Sequence, residues 1–310
     1  MITRDVEAFM RFARAAPADG VATAKACFLV APDGFALAEQ SASDNRYMDL
    51  HQAVDPARAF AQHRDLQREL SQVLPTLCFP GDPATPDALF PNNVFASAPG
   101  RLIVGHMRHP VRQAEADRAD IRGFFTTVLG CEVVDLREQP GVCELTGSLV
   151  IDHARGLGYC GLGERCDETG AAAMHAAFGL RATLLFELAP GEYHTNVVLA
   201  VLAGRAAVIA DDGFADAGVP AAIAGLYAPA AVRLDPVQKA AFAGNCLALS
   251  AGTVWMSQSG AQALRPDQQA RLAAAGFQVR AVDLSELEKA GGSLRCCVAE
   301  VFGPVPGPRA

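Results

Sequence analysis

The sequence predicts an α/β fold in which five strand–strand–helix–strand units close into a ring, with the two ends of the chain completing one unit together. Three observations carry this expectation. A small polar residue or cysteine followed by an apolar run of strand length recurs at Asn93 (NNVFAS), Ser148 (GSLVID), Asn196 (NVVLAV), Asn245 (NCLALS) and Cys296 (CCVAEVF), at intervals of 55, 48, 49 and 51 residues. A fixed period of this size marks a repeat architecture. Each opening but the last is followed by a second strand candidate. The N-terminal part lacks an opening strand, while the last opening has nothing behind it, so each end supplies what the other lacks. Such a ring protects its sheet edges as radial repeats do. An ordinary open α/β sheet with accidental spacing is the competing reading.

The elements follow in order. Residues 1–23 can form an amphipathic helix and read as an N-terminal helical extension; 24–303 form the main domain, and 304–310, rich in Pro and Gly, read as a flexible tail. The N-terminal part-unit has a strand at 27–31 (CFLVA), a helix at 55–70 and a strand at 74–79 (LPTLCF). Second strands follow the openings at 101–107, 157–162, 206–211 and 253–257. Helices are expected at 111–125, 166–178 and 266–276, each built of good helix formers; Pro266 sits at a first turn and Gly276 just past an end. β-rich pieces at 131–137, 182–188 and 277–284 close three of the units.

Composition narrows the function. The 310 residues are 51% hydrophobic, and a net charge of −8 with no Lys/Arg block argues against a nucleic-acid or anionic membrane surface. A small molecule is the expected partner. Nine cysteines at irregular spacing suit a reducing, cytoplasmic compartment better than a disulfide framework. No zinc-type ligand spacing and no apolar run of about 18 residues occurs, so neither a metal nor a bilayer span is expected. The first twenty residues, with Asp5 and Glu7, do not read as a secretory signal.

In a ring, the polar residues that open the units meet at one end of a central channel. Asn93, Glu144 to Ser148, His194 to Asn196, Asn245 and Cys296 are then neighbours. Most of the cysteines read as small buried hydrophobes. Cys296 stands at a unit opening, however, and if it lies in a strand with Cys297 only one of the two can face the channel. A thiol becomes nucleophilic as its thiolate, which needs a cation or donors beside it; Arg295 is adjacent in sequence. His194 alone reads as a turn histidine and Glu144 as a surface carboxylate. Beside a thiol in a channel, they suit acid–base work on a planar carbon flanked by nitrogens, as in guanidino and ureido groups.

At these residues the sequence resembles the guanidino-group-modifying, or pentein, superfamily: arginine deiminases, dimethylarginine hydrolases and amidinotransferases, with its citrulline-utilisation hydrolase branch the nearest likeness. The motifs are DALFPNNVF (87–95), ELTGSLVID (144–152), YHTNVVLAV (193–201), FAGNCLAL (242–249), MSQSGA (256–261) and GGSLRCCVAEVF (291–302). The fold this implies is a five-bladed α/β propeller, the pentein fold. The roles it implies are Cys296 as nucleophile, His194 as general acid/base and Glu144 as its carboxylate partner, with Asn92, Asn93, Asn196 and Arg295 binding substrate and no cofactor. Leu145 stands where the family has glycine.

Arginine deiminases carry aspartates at the positions of Asn93 and Asn196. Asparagine lacks the charge that grips a guanidinium but offers a donor and an acceptor, which suits a neutral ureido group. The expected reaction is therefore hydrolysis of citrulline to ornithine, carbon dioxide and ammonia through a covalent thiol intermediate, with Arg46 or Arg101 as candidates for the substrate carboxylate. An amidinotransferase, an arginine or dimethylarginine hydrolase and a non-catalytic binding propeller are the alternatives. A homodimer is the assembly left open.

Overall fold

The computed structural model describes residues 1–303, and the tail expected at 304–310 lies outside them. The chain forms a mixed α/β fold with five small sheets, each built on one plan: two antiparallel strands, a helical crossover, then a third strand parallel to the second. The first sheet uses Phe95–Ala98, Arg101–Val104 and Glu132–Asp135. The second uses Leu149–Asp152, Leu157–Leu162 and Ala182–Glu187, and the third Leu199–Leu202, Ala206–Ala210 and Ala231–Leu234. The fourth uses Leu247–Ala248, Thr253–Ser257 and Gln278–Val282. In the fifth, Ala299–Val301 near the C-terminus pairs with Ala26–Val30, which pairs in turn with Thr76–Phe79. The two ends of the chain thus complete one unit, as the repeat expected.

Many of these strands are buried along their whole length, including Ala26–Val30, Leu157–Leu162 and Ala206–Ala210. With helices on one side and neighbouring sheets on the other, both faces are dry, which explains continuous apolar runs in place of alternation. The crossover helices carry their own start and stop signals. Asp55 caps Pro56–Ser71 by accepting from the Ala57 and Arg58 N–H groups. Asp167 caps Glu168–Phe178, which ends at Gly179 with φ +64°.

Two expectations need correction, and two elements of the third unit went unpredicted. The helix expected over 111–125 is a chain of short turns from Pro110 to Val128, because Arg118 is non-helical (ψ 94°) and breaks it. The third unit's helix, Gly218–Leu226, had no polar–apolar contrast to reveal it, and its last strand, Ala231–Leu234, is only four residues long. The openings, finally, are not strand residues. In each unit a backbone N–H bonds to the carbonyl three residues back: Val94 to Pro91 (3.1 Å), Gly147 to Glu144 (3.0 Å), Val197 to His194 (3.3 Å), Asn245 to Phe242 (2.9 Å) and Cys296 to Ser293 (3.0 Å). A tight turn therefore precedes every first strand. The strand-alternation argument separating Cys296 from Cys297 does not apply, since both lie in the helical turn Leu294–Cys297.

Residues 1–23 contain the short strand Ile2–Thr3, which adds to the second sheet alongside Ala182–Glu187, and the helix Val6–Ala15. That helix packs on Ala182–Glu187 and on Gly218–Leu226, with Phe9 edge-on to Tyr159 at 5.5 Å. No helix among the described residues is long and apolar enough to cross a membrane.

Candidate active site

The turns that open the units pack against one another: Pro91–Asn93 touches both Leu145–Ser148 and Leu294–Cys297, and Leu145–Ser148 touches Thr195–Val198. Their side chains border a cavity of about 300 Å³, counted with its opening to solvent. Cys296, His194 and Asn93 line it, while Glu144 lies directly behind the imidazole. All four are buried.

His194 Nε2 lies 2.8 Å from Glu144 Oε2. Burial alone would raise the Glu144 pKa, but Arg165 (Nη1 at 3.4 Å) and His194 together outweigh it and hold the carboxylate below its usual range. An ionised Glu144 only accepts, so Nε2 carries the proton and Nδ1 is left as the basic nitrogen. Burial is the largest influence on the His194 pKa and lowers it; Glu144 raises it, and with Arg165 and Arg112 adding to the lowering the net direction is down, favouring the neutral imidazole. Gly147 lets the ring lie on the neighbouring turn, because a Cβ there would meet His194 Cε1 at 2.6 Å. Leu145 holds φ +22°, at the edge of the left-handed region glycine tolerates best.

Cys296 Sγ has Asn245 Nδ2 at 3.3 Å and Asn196 Nδ2 at 3.7 Å. Burial raises its pKa, partly offset by Ser293, Asn245, Arg295 and Asn196, so the resting sulfur is a thiol. Cys297 does not line the cavity; it sits fully buried in an apolar cluster with Leu294 and Val298.

The expected binding residues divide. Asn93 reaches the cavity, where its Oδ1 accepts from Arg112 Nη2 at 2.9 Å. Asn92 does not; its Nδ2 and carbonyl tie the first turn to Thr146. Asn196 stands behind the sulfur, where Nδ2 also donates to the Thr146 carbonyl at 3.1 Å. Arg295 is a correction. Its Nη1 donates to the Val298 carbonyl and its Nη2 pairs with Glu300 at 3.0 Å, so the guanidinium faces a second cavity beyond the Cys296 layer. The attraction of Glu300 and the turn geometry aim it there. Arg101 binds the Ala177 carbonyl away from the site. Arg46, half exposed, pairs with Glu192 at 3.7 Å and does not line the cavity.

The sequence reading missed three charged groups in the cavity wall: Asp87, Arg112 and Arg165. Arg112 is buried against Glu115 (2.6 Å), three residues on, a spacing that reads as an ordinary surface pair. Arg165 is buried between Asp44 and Glu144 and lies over the Tyr193 ring at 5.0 Å. Asp87 Oδ2 accepts from Ser41 while Oδ1 has no partner among the described residues, and burial raises its pKa. The one available signal was Asp87's place at the head of DALFPNNVF. Ser41, Asn45 and Met48 cover the cavity from the segment after the strand Ala26–Val30.

Comparisons with known proteins identify the family and the fold. The family described as N,N dimethylarginine dimethylhydrolase, eukaryotic, matches residues 31–303. The chain is 29% identical over 262 residues to the N(G),N(G)-dimethylarginine dimethylaminohydrolase of Mycobacterium tuberculosis, covering 83% of this chain and 80% of that protein. Its fold is similar to the N-terminal domain of ArgZ, a cyanobacterial arginine dihydrolase, solved with substrate bound (TM-score 0.77, 20% identity, 91% of this chain and 99% of that one). It is also similar to a dimethylarginine dimethylaminohydrolase solved as an adduct with S-methyl-L-thiocitrulline (TM-score 0.69, 20% identity, 89% and 99%). The chain thus belongs to the N,N dimethylarginine dimethylhydrolase family within the guanidino-modifying pentein enzymes, and is a hydrolase of carbon–nitrogen bonds other than peptide bonds.

Proposed function

We propose that this chain is a cysteine-dependent hydrolase of a ureido amino acid, with citrulline as the preferred substrate, giving ornithine, carbon dioxide and ammonia. The observation that carries the reading is a single cavity lined by Cys296 and His194, with Glu144 hydrogen-bonded behind the imidazole. The five sheets are read as blades of a propeller spanning 24–303, closed around that cavity, with 1–23 as an accessory segment.

In this mechanism His194 Nδ1 takes the Cys296 proton as the sulfur attacks the ureido carbon. The imidazolium then passes that proton to the departing nitrogen, releasing ornithine and leaving an S-carbamoyl cysteine. His194 next deprotonates water, which attacks the carbonyl; the thiol is restored and carbamate breaks down to carbon dioxide and ammonia. Glu144 favours the imidazolium at each stage. Arg112 and Arg165 take the substrate carboxylate, and the unpartnered Asp87 oxygen takes its ammonium group. Asn93 positions the planar group, and no cofactor takes part. A nucleophilic thiol of this kind suits the reducing cytoplasm.

The choice of a ureido substrate rests on charge. Among the described residues lining the cavity, Asp87 is the one carboxylate, facing two arginines. A guanidinium would bring a further cation to a sulfur end whose one nearby carboxylate, Glu144, is already held by His194 and Arg165 behind the lining, whereas a ureido group is neutral. The names of the relatives favour a second reading, hydrolysis of arginine or dimethylarginine. Purified protein incubated with citrulline, arginine, dimethylarginine, or arginine plus glycine distinguishes these by product analysis. Ornithine from citrulline alone supports the proposal; citrulline formed from arginine or dimethylarginine supports the second reading, and a guanidino group passed to glycine identifies a transferase. No turnover together with an unreactive Cys296 identifies a binding module.

A further inference from the structure

We infer that Asn245 is a further catalytic residue: it clamps the nucleophile turn and its side-chain N–H stabilises the Cys296 sulfur as negative charge develops. This rests on the proposal that Cys296 is the nucleophile. The contact is threefold. The Asn245 carbonyl accepts from the Arg295 N–H at 3.3 Å. Its side-chain Oδ1 accepts from the Cys296 N–H at 3.3 Å. Its Nδ2 lies 3.3 Å from Cys296 Sγ and donates to the Asn196 carbonyl at 3.0 Å.

The neighbours fix which way the amide points. A backbone N–H on one side demands Oδ1, and a backbone carbonyl on the other demands Nδ2. One Nδ2 hydrogen is used by Asn196, so the other is free to meet sulfur. The loop carrying Asn245 is itself tightly held. Phe242 adopts φ +59°, which non-glycine residues seldom do, and a Cβ on Gly244 would meet the Val197 carbonyl oxygen at 2.4 Å. Strain of this kind persists where surrounding contacts over-determine it.

Charged groups near the sulfur do not replace this donor. Arg295 points to Glu300 and the Val298 carbonyl, the Tyr193 hydroxyl donates to the Gly291 carbonyl, and His194, its Nε2 held by Glu144, can donate to the sulfur only through Nδ1 after that nitrogen has taken the thiol proton, so it adds to the amide donor without standing in for it. Cys297, the other titratable group on the turn, packs into the apolar cluster. Asp87, Arg112 and Arg165 line the same cavity, and none makes a hydrogen bond to Sγ in the described structure. The sulfur's hydrogen-bond partners are two neutral amides, and Asn245 is the nearer. This explains why the fourth unit keeps a polar residue at its opening although that residue does not line the cavity.

The test is the pH dependence of Cys296 alkylation by iodoacetamide, a neutral reagent that needs no substrate recognition, mapped by peptide mass spectrometry. Wild type is compared with Asn245→Asp, which keeps the acceptor for the Cys296 N–H but swaps the donor for a carboxylate, and with Asn245→Ala. Asn245→Asp should move the inflection up by about one pH unit or more, lowering the rate at neutral pH about tenfold. Asn245→Ala should move it in the same direction by less, and kcat with citrulline should fall in both with KM little changed. An unmoved inflection in Asn245→Asp with unchanged circular dichroism overturns the inference alone, as does a lower melting temperature without a shift. A wild-type chain whose Cys296 resists alkylation, or whose turnover survives Cys296→Ser, overturns the nucleophile assignment and this inference with it.

Discussion

The imidazole of His194 and the carboxylate of Glu144 meet at 2.8 Å, both fully enclosed, from the openings of two different units. That contact selects the ring tautomer, and leaves Nδ1 as the nitrogen that exchanges protons in the proposed mechanism.

Glu144→Gln should therefore impair catalysis more than binding. A neutral amide no longer fixes the proton on Nε2 and no longer favours the imidazolium. Loss of general acid/base efficiency of about 10²-fold or more in kcat, with KM changed little, is expected. Steady-state kinetics checks it; an unaltered kcat would contradict the proton-transfer role.

Gly147→Ala tests the same contact from the other side. The added methyl would overlap the His194 ring, and the ring cannot retreat without leaving Glu144. Turnover should fall by about 10²-fold through misplacement of a catalytic group. A variant with normal turnover would show that the imidazole position is not critical.

Asp87→Asn addresses the amino-acid end of the substrate. Replacing the unpartnered oxygen with a neutral amide should raise KM for citrulline about tenfold or more, in line with the loss of one charge-assisted hydrogen bond. The same change should have little effect on a ureido compound lacking the α-amine. Equal effects on both compounds would remove Asp87 from that role.

Arg295→Met separates the observed geometry from the sequence expectation. With the guanidinium turned to Glu300, KM should stay within about twofold while the melting temperature drops, because the change removes the cation that faces a buried carboxyl. A large rise in KM would return Arg295 to the substrate.

Buried histidines should make the fold sensitive to acid above ordinary carboxylate pKa values. Burial pushes His63 down to about 4 and lowers His194 from 6.5, so the unfolded chain binds more protons than the native one in that window. Their contribution to stability then falls as pH drops below 6.5, for His63 by about 1.4 kcal/mol per pH unit until the folded value near 4 is reached. Glu144 has the depressed carboxylate sign, and its contribution is lost at still lower pH. Glu115, whose carboxyl burial pushes up to about 8, acts with the opposite sign over the same range, so the histidine contribution is read as a difference: the melting-temperature advantage of wild type over His63→Gln should shrink as pH falls from 6.5 towards 4, and an advantage that grows on acidification would contradict the assignment.

The sequence showed more of the frame than of the binding surface. The spacing of Asn93, Ser148, Asn196, Asn245 and Cys296 was readable because every unit needs a polar turn immediately before a dry strand. Gly218–Leu226 was not, since a helix apolar on most sides has no stripe to detect. Cys296, His194 and Glu144 stood out because their chemistry is uncommon at strand openings. Arg112 and Arg165 did not, because a buried arginine and a solvated one look alike in sequence, and only folding places Glu115 or Asp44 beside them. Arg295 misled for a related reason: adjacency along the chain says nothing about the direction of a side chain in a helical turn.

The central claim is that Cys296 carries the substrate's carbon during turnover. The most direct measurement is acid-quenched peptide mass spectrometry of the enzyme reacting with citrulline, alongside Cys296→Ser and Cys297→Ser. The expected result is a carbamoyl increment on Cys296 in wild type and Cys297→Ser, and neither increment nor turnover in Cys296→Ser. An increment on Cys297, or wild-type turnover retained by Cys296→Ser, would contradict it.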